Sequence, residues 1–279
     1  MKANRLIPFC LGILLFFPLS PWAQGGERSI GDHFNGETLR YDFGFWIFSR
    51  AGEGFLTFRA LGNGQYLAHH EGKTLGIVGW ATRYRRDTYR STMKMDRQGR
   101  RFLPLRLEEE VVIGNSLRQR ITEFDYLQGK ILTEDRRGGQ IEREVLEIPD
   151  GVCYEDPLTA FYNLRYGVYG KIKAGERYSI VTVPRAGRSK VIHLEVASGE
   201  ATGGAWRVNP GNASKILRIQ AYMDKELVGS LQGALEGWFT EDMVPLGGLA
   251  KDLFFFADLI GRITHRESRE GPARIAGVR

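Results

Sequence analysis

The residue types able to do chemistry are concentrated in a few places. The densest is a basic run, Arg83, Arg85, Arg86, Arg90, Lys94, Arg97, Arg100 and Arg101, interleaved with Tyr84 and Tyr89. Guanidinium groups beside aromatic rings can grip a phosphate or carboxylate headgroup through forked hydrogen bonds. The same run also fits a solvated face, with Asp87 and Asp96 neutralising part of it. His69-His70-Glu71 has metal-ligand types, but neighbours on a strand point to opposite faces, so the two imidazoles cannot easily share one ion. Neither a His-Glu-x-x-His nor a Cys-x-x-Cys pattern occurs, and no metal and no cofactor is expected.

Nucleophilic catalysis needs Ser, Cys or Thr beside a base. No Gly-x-Ser-x-Gly is present, and Cys153-Tyr154-Glu155 matches no protease signature. Cys153 reads instead as a buried small hydrophobe. Glu108-Glu109-Glu110 reads as a wet strand face, and Gly199, Gly203 and Gly204 as a turn, since the Lys-Ser or Lys-Thr of a phosphate loop is missing. No residue is assigned a catalytic role, and without a recognition motif nucleic acid is not expected as a partner. The remaining clue is aromatic. Tyr41, Phe43 and Phe45 share one face of an alternating run, and Trp46 and Phe48 the other. A strand apolar on both faces is covered twice, by core on one side and by a helix, a partner or an apolar ligand groove on the other.

Short strands must position these residues. The chain has 35 glycines in 279 residues, set between short apolar runs, and only 10 prolines. That is the punctuation of a mainly β fold, here about a dozen strands with one or two short helices in a single curved antiparallel sheet or open barrel. Turns are expected at Gly52-Glu53-Gly54, at Asn63-Gly64, where the hairpin needs positive φ, and at Gln98-Gly99, Gly114-Asn115, Gln128-Gly129 and Gly138-Gly139. Pro104 places a bulge or an edge in its strand. Leu75, Val78 and Thr82 recur at helical spacing. Asp156-Pro157 opens the clearest helix, with Asp156 as its N-cap and Arg165 near its end, poised for the last carbonyls or for a carboxylate on the sheet.

The N-terminus reads as an export signal. Lys2 and Arg5 precede an uncharged apolar stretch from Leu6 to Leu19, and Ala23 offers a cleavage position. Residues 1–23 are therefore expected to be removed, leaving 279 − 23 = 256 residues in a single β-rich domain, 24–279, with its core at 36–267. The net charge falls from +6 to +6 − 2 = +4. That excess allows peripheral contact with an anionic membrane or envelope surface without demanding it. Cys10 leaves with the leader, so an intramolecular disulfide is excluded.

Four places resemble the bacterial exported-protein family named domain of unknown function 3108. They are Gly36-Glu37-Thr38-Leu39-Arg40-Tyr41 with Gly54, the pair Gly99 and Pro104, the helix Asp156 to Arg165, and Trp238-Phe239-Thr240-Glu241-Asp242 through Val244-Pro245. The resemblance implies a protein exported to the periplasm of Gram-negative bacteria, with a fold similar to periplasmic lipoprotein carriers, in which a curved sheet wraps an apolar cavity around helices. It implies structural roles for Asp156, Arg165 and Asp242, and no established reaction.

The expected function is non-enzymatic binding or carriage of an apolar or amphipathic envelope component such as a lipid. Tyr41, Phe43 and Phe45 would meet its apolar part, and Arg83, Tyr84, Arg85, Arg86, Tyr89 and Arg90 its headgroup. An enzyme acting on envelope glycan or lipid, and a scaffold in an envelope complex, are the alternatives. The first would show two carboxylates, or His69 or His193 beside a carboxylate, in a concave cluster. The second would show a large apolar patch without a cavity. The oligomeric state is left open.

Overall fold

Alternating apolar and polar residues make strands along most of the chain. The computed structural model describes residues 28–45, 47–184, 191–197, 216–222, 234–254 and 257–268. The expected leader, Trp46, the 199–204 turn and the 255–256 part of the last apolar run lie outside them. The order is α1 (Ile30–Phe34), β1 (Thr38–Phe45), β2 (Phe48–Gly62), β3 (Gln65–Thr74), α2 (Gly76–Ala81), β4 (Arg86–Met95), β5 (Phe102–Ile113), β6 (Ser116–Asp125), β7 (Lys130–Arg137), β8 (Gln140–Glu147), α3 (Pro157–Tyr166), β9 (Arg177–Val181), β10 (Val191–Val196), β11 (Ile216–Tyr222), β12 (Ala234–Thr240), β13 (Pro245–Phe254) and β14 (Ala257–Glu267).

These fourteen strands form one antiparallel sheet, ordered β8-β7-β6-β5-β4-β3-β2-β1-β14-β13-β12-β11-β10-β9. Two meanders, β1–β8 and β9–β14, meet where β1 pairs with β14. The sheet is not closed into a barrel, and β8 and β9 are its edges.

The sheet curves around α3. Laid flat, fourteen strands would span about 60 Å, beyond the reach of one short helix. Yet Asn163 of α3 clamps the backbone of Phe102 on β5, accepting its N–H at 2.8 Å and donating to its carbonyl at 3.0 Å. Ala160 and Leu164 of the same helix pack with Ile180, Leu194, Ile219 and Phe239, from β9 to β12. The segment entering α3 spans the gap between the edges. Glu155 N–H donates to Val181 at 2.9 Å, and Tyr154 packs with Phe124 of β6 and Ile131 of β7.

Local chemistry fixes α3. Asp156 accepts from the N–H groups of Leu158 and Thr159 at 2.9 and 3.0 Å, Pro157 occupies the first turn, and Gly167 ends the helix at φ 85°. Arg165 then finds its sheet carboxylate. Its Nη1 and Nη2 donate to Glu37 at 2.6 and 2.8 Å, and its Nε donates to the Met243 carbonyl at 3.0 Å. Arg266 of β14 adds a second cation to Glu37 at 3.1 Å. The guanidinium lies over the rings of Phe34, Phe161 and Tyr162, 4.7 to 5.5 Å from their centroids. Burial alone would raise the Glu37 carboxyl, but Arg165 and then Arg266 outweigh it and hold it below the usual carboxylate range.

Several expectations change. The chain turns between Phe45 and Phe48, so the two-faced apolar run is split between β1 and β2. Gly52 and Gly54 lie inside β2, where they are needed for close packing rather than for turning. The described residues hold three short helices, and α1, with Ile30 and Phe34 in the main core cluster, extends that core ahead of residue 36. Other turns are as expected. Asn63 and Gly64 have φ of 52° and 71°, and Pro104 sits opposite a register shift between Thr92 and Met93.

Arg165→Met strands Glu37 in the core with Arg266 alone and is expected to cost about 3–5 kcal/mol, read from urea denaturation. The double change Glu37→Leu with Arg165→Met is expected to cost less than the two single changes summed.

Candidate functional site

Register defines the inner face, because residues directly opposite in an antiparallel pair share a side. The half of that face nearest the β3 end of the helix-capped core is filled by Leu39, Phe58, Ala68, Met93 and Tyr162. The other half, toward the β1–β2 turn and α2, has a different lining.

One row there runs Gly52, Phe43, Gly261, Gly248 and Gly237 across β2, β1, β14, β13 and β12. Rings cover most of this row: a Cβ on Gly237 would sit 2.8 Å from the Phe239 ring, and within the row Gly248 alone has no side chain of the described residues within 4 Å of an added Cβ. Phe43 lies over its neighbours: a Cβ on Gly52 would come within 3.2 Å of the ring, and one on Gly72 or Gly261 within 3.5 Å. Tyr41 covers Gly54 more closely, where a Cβ would sit 2.6 Å from the phenol ring. Rings laid on strand glycines keep a curved sheet covered without bulk. Tyr41 meets Phe43 edge-on at 5.0 Å and stacks with His70 at 5.8 Å, and His70 meets Tyr89 at 5.6 Å.

Beyond the rings the same face turns polar. The next residues opposite Tyr89 are Glu109, Arg120 and Asp135, and opposite Gly72 come Asp87, Val111 and Arg118. Arg118 donates to Asp135 at 2.6 Å, and Arg120 lies 3.4 Å from the same carboxylate. Arg118, Asp135, Arg137, Gln140 and Glu142 line a recess of about 420 Å³ at this edge. An apolar shelf thus passes into a polar bank on one surface. It can hold a molecule with an apolar part and a polar group.

Burial pushes the His70 imidazole down to about 4, against a smaller opposing pull from Asp87. Its Nδ1 is buried without a hydrogen-bond partner among the described residues. Burial also raises the Tyr41 phenol. Both groups are neutral near pH 7, so the shelf carries no charge of its own.

The residues predicted to form the site separate. Tyr41 and Phe43 lie on the shelf, while the Phe45 side chain is outside the described residues. Tyr89 joins them, and Arg85 reaches the same bank, its Nε 2.8 Å from Asp87. Arg86 and Arg90 are exposed on the opposite face, where Arg90 stands across from His69 and Glu108. Arg83 and Tyr84 sit exposed at the corner after α2. The basic run is therefore no single clamp, because period-two alternation sends its members to two sides. His69 and His70 face opposite ways as expected. Sequence reading missed His70, Arg118, Arg120 and Asp135 as neighbours of the aromatic shelf. Their convergence depends on strand pairing, which no local pattern specifies.

The buried carboxylates Glu155 and Asp156 are a separate cluster, both raised by burial. Asp156 Oδ2 accepts from Ser91 and Thr159 at 2.7 and 2.6 Å while Oδ1 caps α3. Glu155 accepts from Arg101 and Tyr169. Their lone pairs are committed to holding α3 in the sheet. Asp242 is exposed in the β12–β13 turn, whose anchor is its neighbour Met243, buried at φ 57°. Cys153 is half-buried rather than fully buried, with its thiol raised by burial.

No family model matches the chain, and no curated protein matches it. The resemblance to domain of unknown function 3108 is therefore corrected: its motifs are hairpin glycines, a helix cap and a strand start, which any β-rich chain with a capped helix can share. A solved structure from Brucella abortus, described as a beta-barrel-like protein of domain of unknown function DUF1849, belongs to a different family. It is 12% identical, with a TM-score of 0.47 over 82% of this chain and 96% of that one.

The His70 shift has a pH signature. The unfolded imidazole takes its proton near 6.5 and the folded one near 4, so the unfolded state holds more protons between those values. Stability should fall as pH drops from 6.5 to 4, then flatten with respect to this group. His70→Phe, which keeps the ring contacts, is expected to remove up to about 3 kcal/mol of that decline in urea melts across the range.

Proposed function

We propose that the protein binds an apolar or amphipathic envelope component on the inner face of its sheet, as a non-enzymatic carrier or receptor acting after export. An open, multi-stranded sheet of this kind is compatible with a ligand-binding or carrier architecture. The observation that carries the reading is the row Gly52, Phe43, Gly261, Gly248 and Gly237. A sheet surface that gives up four side chains in a row loses strand stability at each glycine. Three of the four lie under the rings of Phe43 and Phe239, and Gly248 leaves backbone with no side chain of the described residues over it for an apolar group to meet. Phe43 and Tyr41 supply apolar contact along this strip.

The polar bank supports the amphipathic part of the reading. Arg118, Arg120, Asp87 and Glu109 carry both signs of charge, so a polar or zwitterionic headgroup suits them better than a bare anion. The exported location rests on the leader, Lys2 to Ala23, and on its n-region, h-region and cleavage layout.

Titrating the full chain with a fluorescent acyl probe tests the proposal. Phe43→Ser removes ring contact and Gly248→Leu fills the strip; each is expected to weaken binding about tenfold, the factor that roughly 1.4 kcal/mol supplies. Absence of binding, or binding indifferent to both changes, would overturn it.

A further inference from the structure

The end of the sheet beside α2 carries a feature that the inner face does not use. Three large apolar side chains on α2 and its following turn face solvent: Ile77 is 68% exposed, Trp80 73% and Tyr84 63%. They are one feature rather than three strays. The Tyr84 N–H donates to the Gly79 carbonyl, and its ring lies against Gly79, where an added Cβ would be 3.0 Å away. Tyr84 therefore folds back beside the helix that carries the other two. In the β1–β2 turn at the same end of the sheet, Ile47 is 72% exposed.

The backbone here is held in a costly shape. Arg83 and Tyr84 are consecutive non-glycine residues with φ of 57° and 51°. Such residues persist only where the surroundings over-determine them. They do so here: Gly114 N–H donates to the Arg83 carbonyl at 2.8 Å, Thr74 N–H to Arg85 at 3.0 Å, and Thr82 Oγ1 to Val78 at 2.8 Å. A rigid frame thus presents these side chains outward.

Charge says what the corner meets. Arg83 and Arg86 are exposed and have no ion-pair partner among the described residues. Their neighbours differ, since Arg50 and Lys73 pair with Glu53, and Arg85 with Asp87. Large apolar and aromatic side chains flanked by unneutralised arginines make the composition that sits in an anionic lipid interface. A stable protein partner would need roughly 800 Å² on this side, more than one short helix and a turn present. We infer that the α2 corner, with Ile77, Trp80 and Tyr84 inserted and Arg83 and Arg86 on the headgroups, docks the protein on an anionic membrane surface.

The inference stands apart from ligand binding on the inner face and is tested apart from it. Full chain and Trp80→Phe are mixed with vesicles of phosphatidylglycerol in phosphatidylcholine carrying brominated acyl chains, and the difference in emission isolates Trp80. This local readout does not depend on whether the N-terminal apolar segment also enters the bilayer. The Trp80 emission is expected to shift to shorter wavelength and to be quenched. Arg83→Gln with Arg86→Gln should weaken that response roughly 30-fold, two charges each contributing about fivefold. Phe43→Ser should leave it intact. An unquenched Trp80, the outcome if the corner serves a protein partner, overturns the inference, as does quenching indifferent to loss of both arginines. Loss of acyl-probe binding with Trp80 quenching preserved would count against the ligand reading alone.

Discussion

A guanidinium sealed in a core has to be satisfied on every side, and here that requirement ties the two halves of the sheet to one helix. Arg165 reaches Glu37 ahead of β1, the Met243 carbonyl between β12 and β13, and three aromatic faces. Arg266 on β14 completes the carboxylate. Each partner belongs to a different stretch of chain, so the ion pair forms only when the meanders are side by side and α3 lies across them. A buried pair of this kind is weak evidence of net stability, because two charges have been taken out of water. Its effect is on uniqueness: alternative placements of α3 would strand a charge.

With α3 fixed, the rest of the inner face follows. The helix, α1 and the main core cluster fill one half, and the remaining half is closed neither by a strand nor by a helix among the described residues. The sheet lines that half with glycine and a few rings. Gly52, Gly54, Gly72 and Gly261 lie under the rings of Tyr41 and Phe43, and Gly248 is left without a side chain of the described residues over it. The same glycines let Tyr41 and Phe43 lie flat on the sheet, with charged groups of both signs from β4 to β7 at the border of the rings.

The sequence made the class of fold readable but not the surface it builds. Alternation and glycine spacing predict a single antiparallel sheet, and Asp156-Pro157 predicts α3 and its cap, because these signals are local. Gly52 and Gly54 mislead, since glycine marks both a turn and a close approach and only the partner strand decides between them. The basic run misleads in the same way: a list of arginines hides the alternation that sends Arg86 and Arg90 to one face and Tyr89 to the other. The polar bank was invisible because Arg118 and Asp135 meet His70 and Tyr89 only through four successive strand pairings. Family resemblance failed for a related reason, in that turns and caps report how a chain folds and not which chain it is.

Under the proposed function, the row beside Phe43 receives an apolar chain at Gly248. Photo-crosslinking with a diazirine-bearing fatty acid, followed by peptide mapping of the full chain, measures this directly. Labelling concentrated on β1, β13 and β14 around Phe43, Gly248 and Gly261 is the predicted result. Labelling spread over the outer face, or confined to the α2 corner with the strip untouched, would contradict it.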